Sequence, residues 1–126
     1  MTDRLSELSI IMTARQWDCQ VPWSAHVPSA LKTGVAEETV QAIGIFESPE
    51  PYMADDELIL FRLAEALFDP GMAVDEATYQ IAVAQVGRPR LVKLVTVMGY
   101  YAQVALVVNT VNYTMPPLRK YPFTLN

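Results

Sequence analysis

The sequence predicts an all-α protein, a single-domain bundle of about six helices, on three observations. Apolar residues recur at three- and four-residue steps along the chain, the spacing of one helix face. No segment shows the strict alternation of a half-buried strand. Prolines and isolated glycines divide the 126 residues into helix-length pieces. That length suits one domain, set at residues 1–113, with an extended tail over 114–126 where Pro116, Pro117 and Pro122 forbid a helix.

The first helix is expected from about Asp3 to Trp17. Leu5, Leu8, Ile11 and Met12 form its apolar stripe, and Glu7 lies one row away, in line with Ile11 and Ala14. A second helix is expected to start at Pro22, because proline suits the first turn, where its missing N–H has no helical partner. It buries Trp23, Val27, Ala30 and Leu31 and stops at Gly34. A short third helix opens with Glu37 and Glu38, carboxylates favoured by the positive end of the helix dipole. Pro49 and Pro51 make residues 44–53 a loop. Asp55, Asp56 and Glu57 open the fourth helix, with Leu60, Leu63, Ala64 and Leu67 facing inward, and Asp69-Pro70-Gly71 turns the chain. Asp75 is placed as N-cap of a fifth helix that ends at Gly87. The sixth starts near Pro89 and is apolar nearly all round: Leu91, Val95, Met98, Ala102 and Ala105 on one side, Val97, Tyr101, Val104 and Val108 on another.

Composition narrows the function. A net charge of −5 with nine scattered Lys and Arg offers no basic face for nucleic acid. One cysteine forms no intrachain disulfide, and no signal-peptide apolar region opens the chain, so a cytoplasmic protein is expected. Residues 91–111 approach membrane-spanning length, but Lys93, Gln103 and Asn109 interrupt them and no basic cluster flanks them; a buried helix rather than a membrane span is expected. Apolar residues make up 52% and charged residues 18%. With a sixth helix that has no polar face, this balance points to apolar surface hidden between subunits.

The stretch Trp17-Asp18-Cys19-Gln20-Val21-Pro22-Trp23-Ser24-Ala25-His26 contains the only cysteine and the only histidine. Cys19 just before a helix start would lie near free N–H groups, which stabilise a thiolate. His26 follows one turn beyond Pro22, and two helices joined by a short link pack as neighbours, which can bring Glu7 to the imidazole. A carboxylate there would fix the tautomer and leave the ring as a general acid or base. Plainer readings stand beside these. Cys19 fits a small buried hydrophobe, His26 a satisfied core residue, Glu7 a solvated residue paired with Arg4, Trp23 core, Arg15 a surface or interface residue, and Tyr100 and Tyr101 packing. One His and one Cys fall short of a metal ligand set, no glycine-rich phosphate loop is present, and no cofactor is expected.

Together Glu7, Ala14-Arg15, Cys19, Trp23, His26 and Ala30-Leu31-Lys32-Thr33-Gly34-Val35 resemble the carboxymuconolactone decarboxylase superfamily, which includes alkylhydroperoxidase D-like proteins. The resemblance covers roughly residues 5–67 and extends more loosely to the Asn109 region. It implies an all-α fold and assembly as a homotrimer or homohexamer. The hydroperoxidase branch uses Cys-x-x-Cys-x-x-x-His with an upstream Glu; Glu7, Cys19 and His26 match, and Pro22 stands in place of the second cysteine. In the decarboxylase branch a Glu-Trp pair precedes the histidine; Trp23 matches and Pro22 replaces the Glu. Relatives often carry further N-terminal helices, so a shortened member, or a site completed by another subunit, is implied.

Three functions follow as expectations. The first is an acid–base enzyme on a small carboxylated lactone or similar metabolite, with His26 moving the proton, Glu7 orienting it, Arg15 meeting a substrate carboxylate and Trp23 lining the pocket. The second is a thiol peroxidase in which Cys19 attacks peroxide and an external thiol resolves it. The third is a non-catalytic oligomeric binder of a small molecule.

Overall fold

A computed structural model of the chain describes residues 3–69, 71 and 73–111; the expected tail over 114–126 lies outside them. The described residues form six α-helices and a single 3₁₀ turn, with no strand among them. They are α1 (Arg4–Gln16), α2 (Gln20–Thr33), α3 (Glu37–Gly44), α4 (Asp55–Phe68), α5 (Glu76–Val86) and α6 (Arg88–Thr110). Asp3 caps α1 by accepting from the Ser6 N–H at 2.8 Å, and Asp75 caps α5 by accepting from Thr78 at 2.7 Å. Each satisfies a donor that has no partner within its helix.

α1 is the axis of the fold, packing against α2, α3, α4 and α6. Every residue from Leu5 to Arg15 is buried, the polar ones included. A stripe reading anticipated only one covered face; helices on several sides cover the rest. Ser9 and Thr13 tolerate this because their hydroxyls donate to the carbonyls of Leu5 and Ser9, at 2.9 and 2.8 Å.

α2 returns antiparallel to α1 after a turn at Trp17–Asp18, where Asp18 has φ 50° and pairs with Arg15. The helix starts at Gln20 rather than Pro22, which places the proline within the first turn. Its end at Gly34 is as expected. That residue has φ 112°, and the Val35 N–H returns to the Ala30 carbonyl at 3.0 Å. The predicted loop after α3 contains the 3₁₀ turn Glu50–Tyr52. Arg4 clamps the start of α4 to α1, donating to both Asp56 oxygens at 3.0 and 2.6 Å and lying 2.9 Å from Glu57. Two-pronged bonds of this kind are the stronger ion pairs. Leu67 is exposed rather than inward: it shares the face of Leu60, Leu63 and Ala64 but lies one turn further on, at the end of α4.

α6 runs parallel to α1: Arg90 approaches Asp3 near one end, at 3.5 Å, and Asn109 donates to the Trp17 carbonyl at the other, at 2.8 Å. Only Leu91, Leu94, Met98 and Ala105 are buried, while Val92, Tyr100, Leu106 and Val107 are more than half exposed. The helix is long and apolar enough to cross a membrane, and 22% of its most apolar window is buried within the chain. The expected buried helix is therefore only partly covered among the described residues, where α1 and α5 pack against it.

Candidate functional site

Glu7 occupies the first turn of α1, in line with Ile11 and Ala14, both 0% exposed, and is itself fully buried. Across the helical hairpin, His26 directs Nδ1 at Glu7 Oε2, 2.9 Å away. The Glu7–Arg4 pairing does not occur, since Arg4 is held by Asp56 and Glu57. A carboxylate oxygen accepts, so Nδ1 carries the proton toward it, and the neutral ring then presents Nε2 as a lone pair. On the other side of the ring the Tyr101 hydroxyl of α6 lies 3.3 Å from Nε2. The two rings meet edge to face with centroids 5.3 Å apart, and Tyr100 meets Tyr101 in the same way at 5.1 Å. Burial, then Tyr100, then Glu7 push the Tyr101 phenol above its ordinary range, which keeps it a neutral donor. The three side chains form a row that begins with a fully buried carboxylate and reaches two partly exposed rings, His26 and Tyr101. The second carboxylate oxygen, Glu7 Oε1, has no protein hydrogen-bond partner among the described residues.

Tyr101 is the member that sequence reading assigned to packing. Its signal was slight: one hydroxyl in a row of valines on α6.

Cys19 is the N-cap of α2, beside the first-turn N–H groups as anticipated, but it is 1% exposed. Burial pushes its thiol up, and the Val21 N–H opposes this only in part. The expected lowering by the helix start is overruled because moving a thiolate out of water costs more than one N–H returns.

The two expected substrate contacts fall elsewhere. Arg15 lies outside the row, lining a cavity of about 580 Å³ with Met12, Ile43, Phe46, Phe61 and Phe68, among others; Glu7, His26 and Tyr101 do not line it. Its guanidinium donates to the Gly44 carbonyl at 2.9 Å, pairs with Asp18 and lies 4.0 Å from the centre of the Phe46 ring. Glu7 and Arg15 are eight residues apart, only about 80° around the helix but about 12 Å along it, so the two side chains leave α1 at different heights. Trp23 is 3% exposed and belongs to the core, with Gly44 close against its six-membered ring. Among the described residues no three His, Cys, Asp or Glu side chains converge as a metal site would require.

The arrangement can move a proton. It has a base at Nε2, a carboxylate that fixes the tautomer and would stabilise an imidazolium, and a hydroxyl on a partly exposed ring 3.3 Å from Nε2. No family model, curated protein or solved structure matches the chain.

Proposed function

We propose that the protein is an acid–base enzyme of the carboxymuconolactone decarboxylase type, acting on a small carboxylated lactone or similar metabolite. The observation that carries this reading is the 2.9 Å contact between His26 Nδ1 and the buried carboxylate of Glu7. A carboxylate withdrawn from water and aimed at an imidazole is costly to maintain for stability alone; as part of a proton-transfer site it has a use. Decarboxylation needs charge stabilisation and one proton donor, which a single histidine can supply. Cys19 is left outside the chemistry, since a buried thiol pushed upward is a poor nucleophile. The exposed row of Val92, Tyr100, Leu106 and Val107 is consistent with assembly as a homotrimer or homohexamer.

The test is CO₂ release from a panel of small carboxylated lactones. His26→Ala is expected to lose about 10²-fold or more of turnover, while Cys19→Ser keeps most of it. The reverse pattern rejects the reading. Light scattering is expected to give a trimer or larger, and a clean monomer rejects the assembly.

A further inference from the structure

We propose that the reactive end of this site is the phenolic oxygen of Tyr101, which passes the proton between His26 and a small carbonyl ligand. This rests on the acid–base reading above and adds to it the group that meets the ligand.

The geometry orders the three residues. Glu7 accepts from Nδ1, so the ring's remaining hydrogen-bonding atom is Nε2, and that atom faces the Tyr101 hydroxyl at 3.3 Å. A ligand arriving from solvent meets a phenol already in contact with the base. A hydroxyl, an imidazole and a carboxylate in this sequence repeat the logic of hydrolase triads, with a tyrosine in the serine's place. Tyr100, edge-on to the Tyr101 ring at 5.1 Å, helps fix the ring's position.

When the ligand loses a proton, that proton goes to the Tyr101 oxygen while the phenolic proton goes to Nε2. The resulting imidazolium is held by Glu7. In a decarboxylation the direction reverses. The C–C bond breaks, CO₂ leaves, and its electron pair stays on carbon. That carbon takes the phenolic proton, and Nε2–H of the imidazolium restores the phenol. One solvent proton is consumed per CO₂ released, and no oxidant or reductant is required.

The relay can be tested without the natural substrate, using p-nitrophenyl acetate as an acylating probe. The phenolic oxygen attacks the ester carbonyl, p-nitrophenolate leaves with the bonding pair, and the phenolic proton passes to Nε2. Peptide mass spectrometry on the native protein then locates the acetyl group. Tyr52 and Tyr100, 51% and 58% exposed, serve as internal references. The expected result is acetylation of Tyr101 ahead of both, slowed about 10²-fold in His26→Gln, the low end for loss of a general base. Glu7→Gln, nearly isosteric, is expected to slow it as well and serves if His26→Gln fails to fold. Acetyl on His26 itself overturns the relay while leaving His26 as the base. Labelling of Tyr101 at an unchanged rate in both variants also overturns the relay. If neither Tyr101 nor His26 reacts ahead of the reference tyrosines, the relay and the acid–base reading fall together.

Discussion

Replacing Glu7 by Gln should leave the protein as stable as before or up to about 2 kcal/mol more stable, whereas His26→Ala should cost about 3–5 kcal/mol. The difference in sign follows from burial. Glu7 is 0% exposed; one of its oxygens bonds only to His26, and the other has no protein partner among the described residues. Removing His26 abandons a buried carboxylate, the expensive way to break such a pair. Removing the charge instead, with the amide in nearly the same volume, gives up about 1 kcal/mol, the margin between a charge-assisted and a neutral hydrogen bond. It also relieves a desolvation penalty of several kcal/mol. For 126 residues at about 2.1 cal/mol/K each, 3–5 kcal/mol corresponds to a Tm drop of about 11–19 °C. In the double variant most of the His26→Ala cost should disappear, because no buried charge is left behind, a coupling of about 2 kcal/mol or more. Urea titrations of the four proteins at pH 7.5 measure all of this. A Glu7→Gln variant that loses as much as His26→Ala, with no coupling between them, would refute the reasoning and make the carboxylate a plain structural ion.

Other expectations follow from the same structure. Cys19 and Tyr101 are both pushed up in the folded state, so the stability they contribute is complete below their unfolded values and is lost as pH rises through the folded ones. Melting temperature should therefore fall above about pH 9, and a Cys19→Ala/Tyr101→Phe variant should flatten that limb; an unchanged limb contradicts it. Asp56 is held down chiefly by Arg4, so its contribution is present above the unfolded value and lost as pH falls through the folded one. Below about pH 4 Asp56→Asn should lose less stability than the parent in acid denaturation. Gly34→Ala should cost about 1–2 kcal/mol by thermal unfolding, since its φ of 112° strains any side chain while the new Cβ meets Arg4 only at 3.5 Å. A cost near zero would show that the backbone relaxes there.

The order and approximate limits of the six helices were legible in the chain because their signals are local. Asp3 and Asp75 cap by bonding three residues ahead, and Gly34 ends a helix through its own dihedral angle. The Glu7–His26 meeting was also legible, because a short link forces two helices side by side and Glu7 sits in the row of Ile11 and Ala14. Trp23 lies in the core, as its place in the buried stripe of the second helix implies, whereas the burial of Arg15 was not legible, because spacing along a helix gives a face but does not name the neighbour covering it. Cys19 shows the same limit in its chemistry. Its place at the start of α2 is a sequence property, whereas its burial depends on how the hairpin packs within the fold.

The sequence by itself determined the helices, their caps and the hairpin that brings carboxylate to imidazole, since each depends on residues within a few turns or one short connection of one another. Only the tertiary structure brought in Tyr101, 75 residues beyond His26. It also placed Arg15 in a cavity separate from Glu7 and His26 and left a row of large apolar side chains on α6 exposed. These outcomes depend on which faces of distant helices come to lie against one another. That is a cooperative result of packing the six helices together, and no local pattern of residues encodes it.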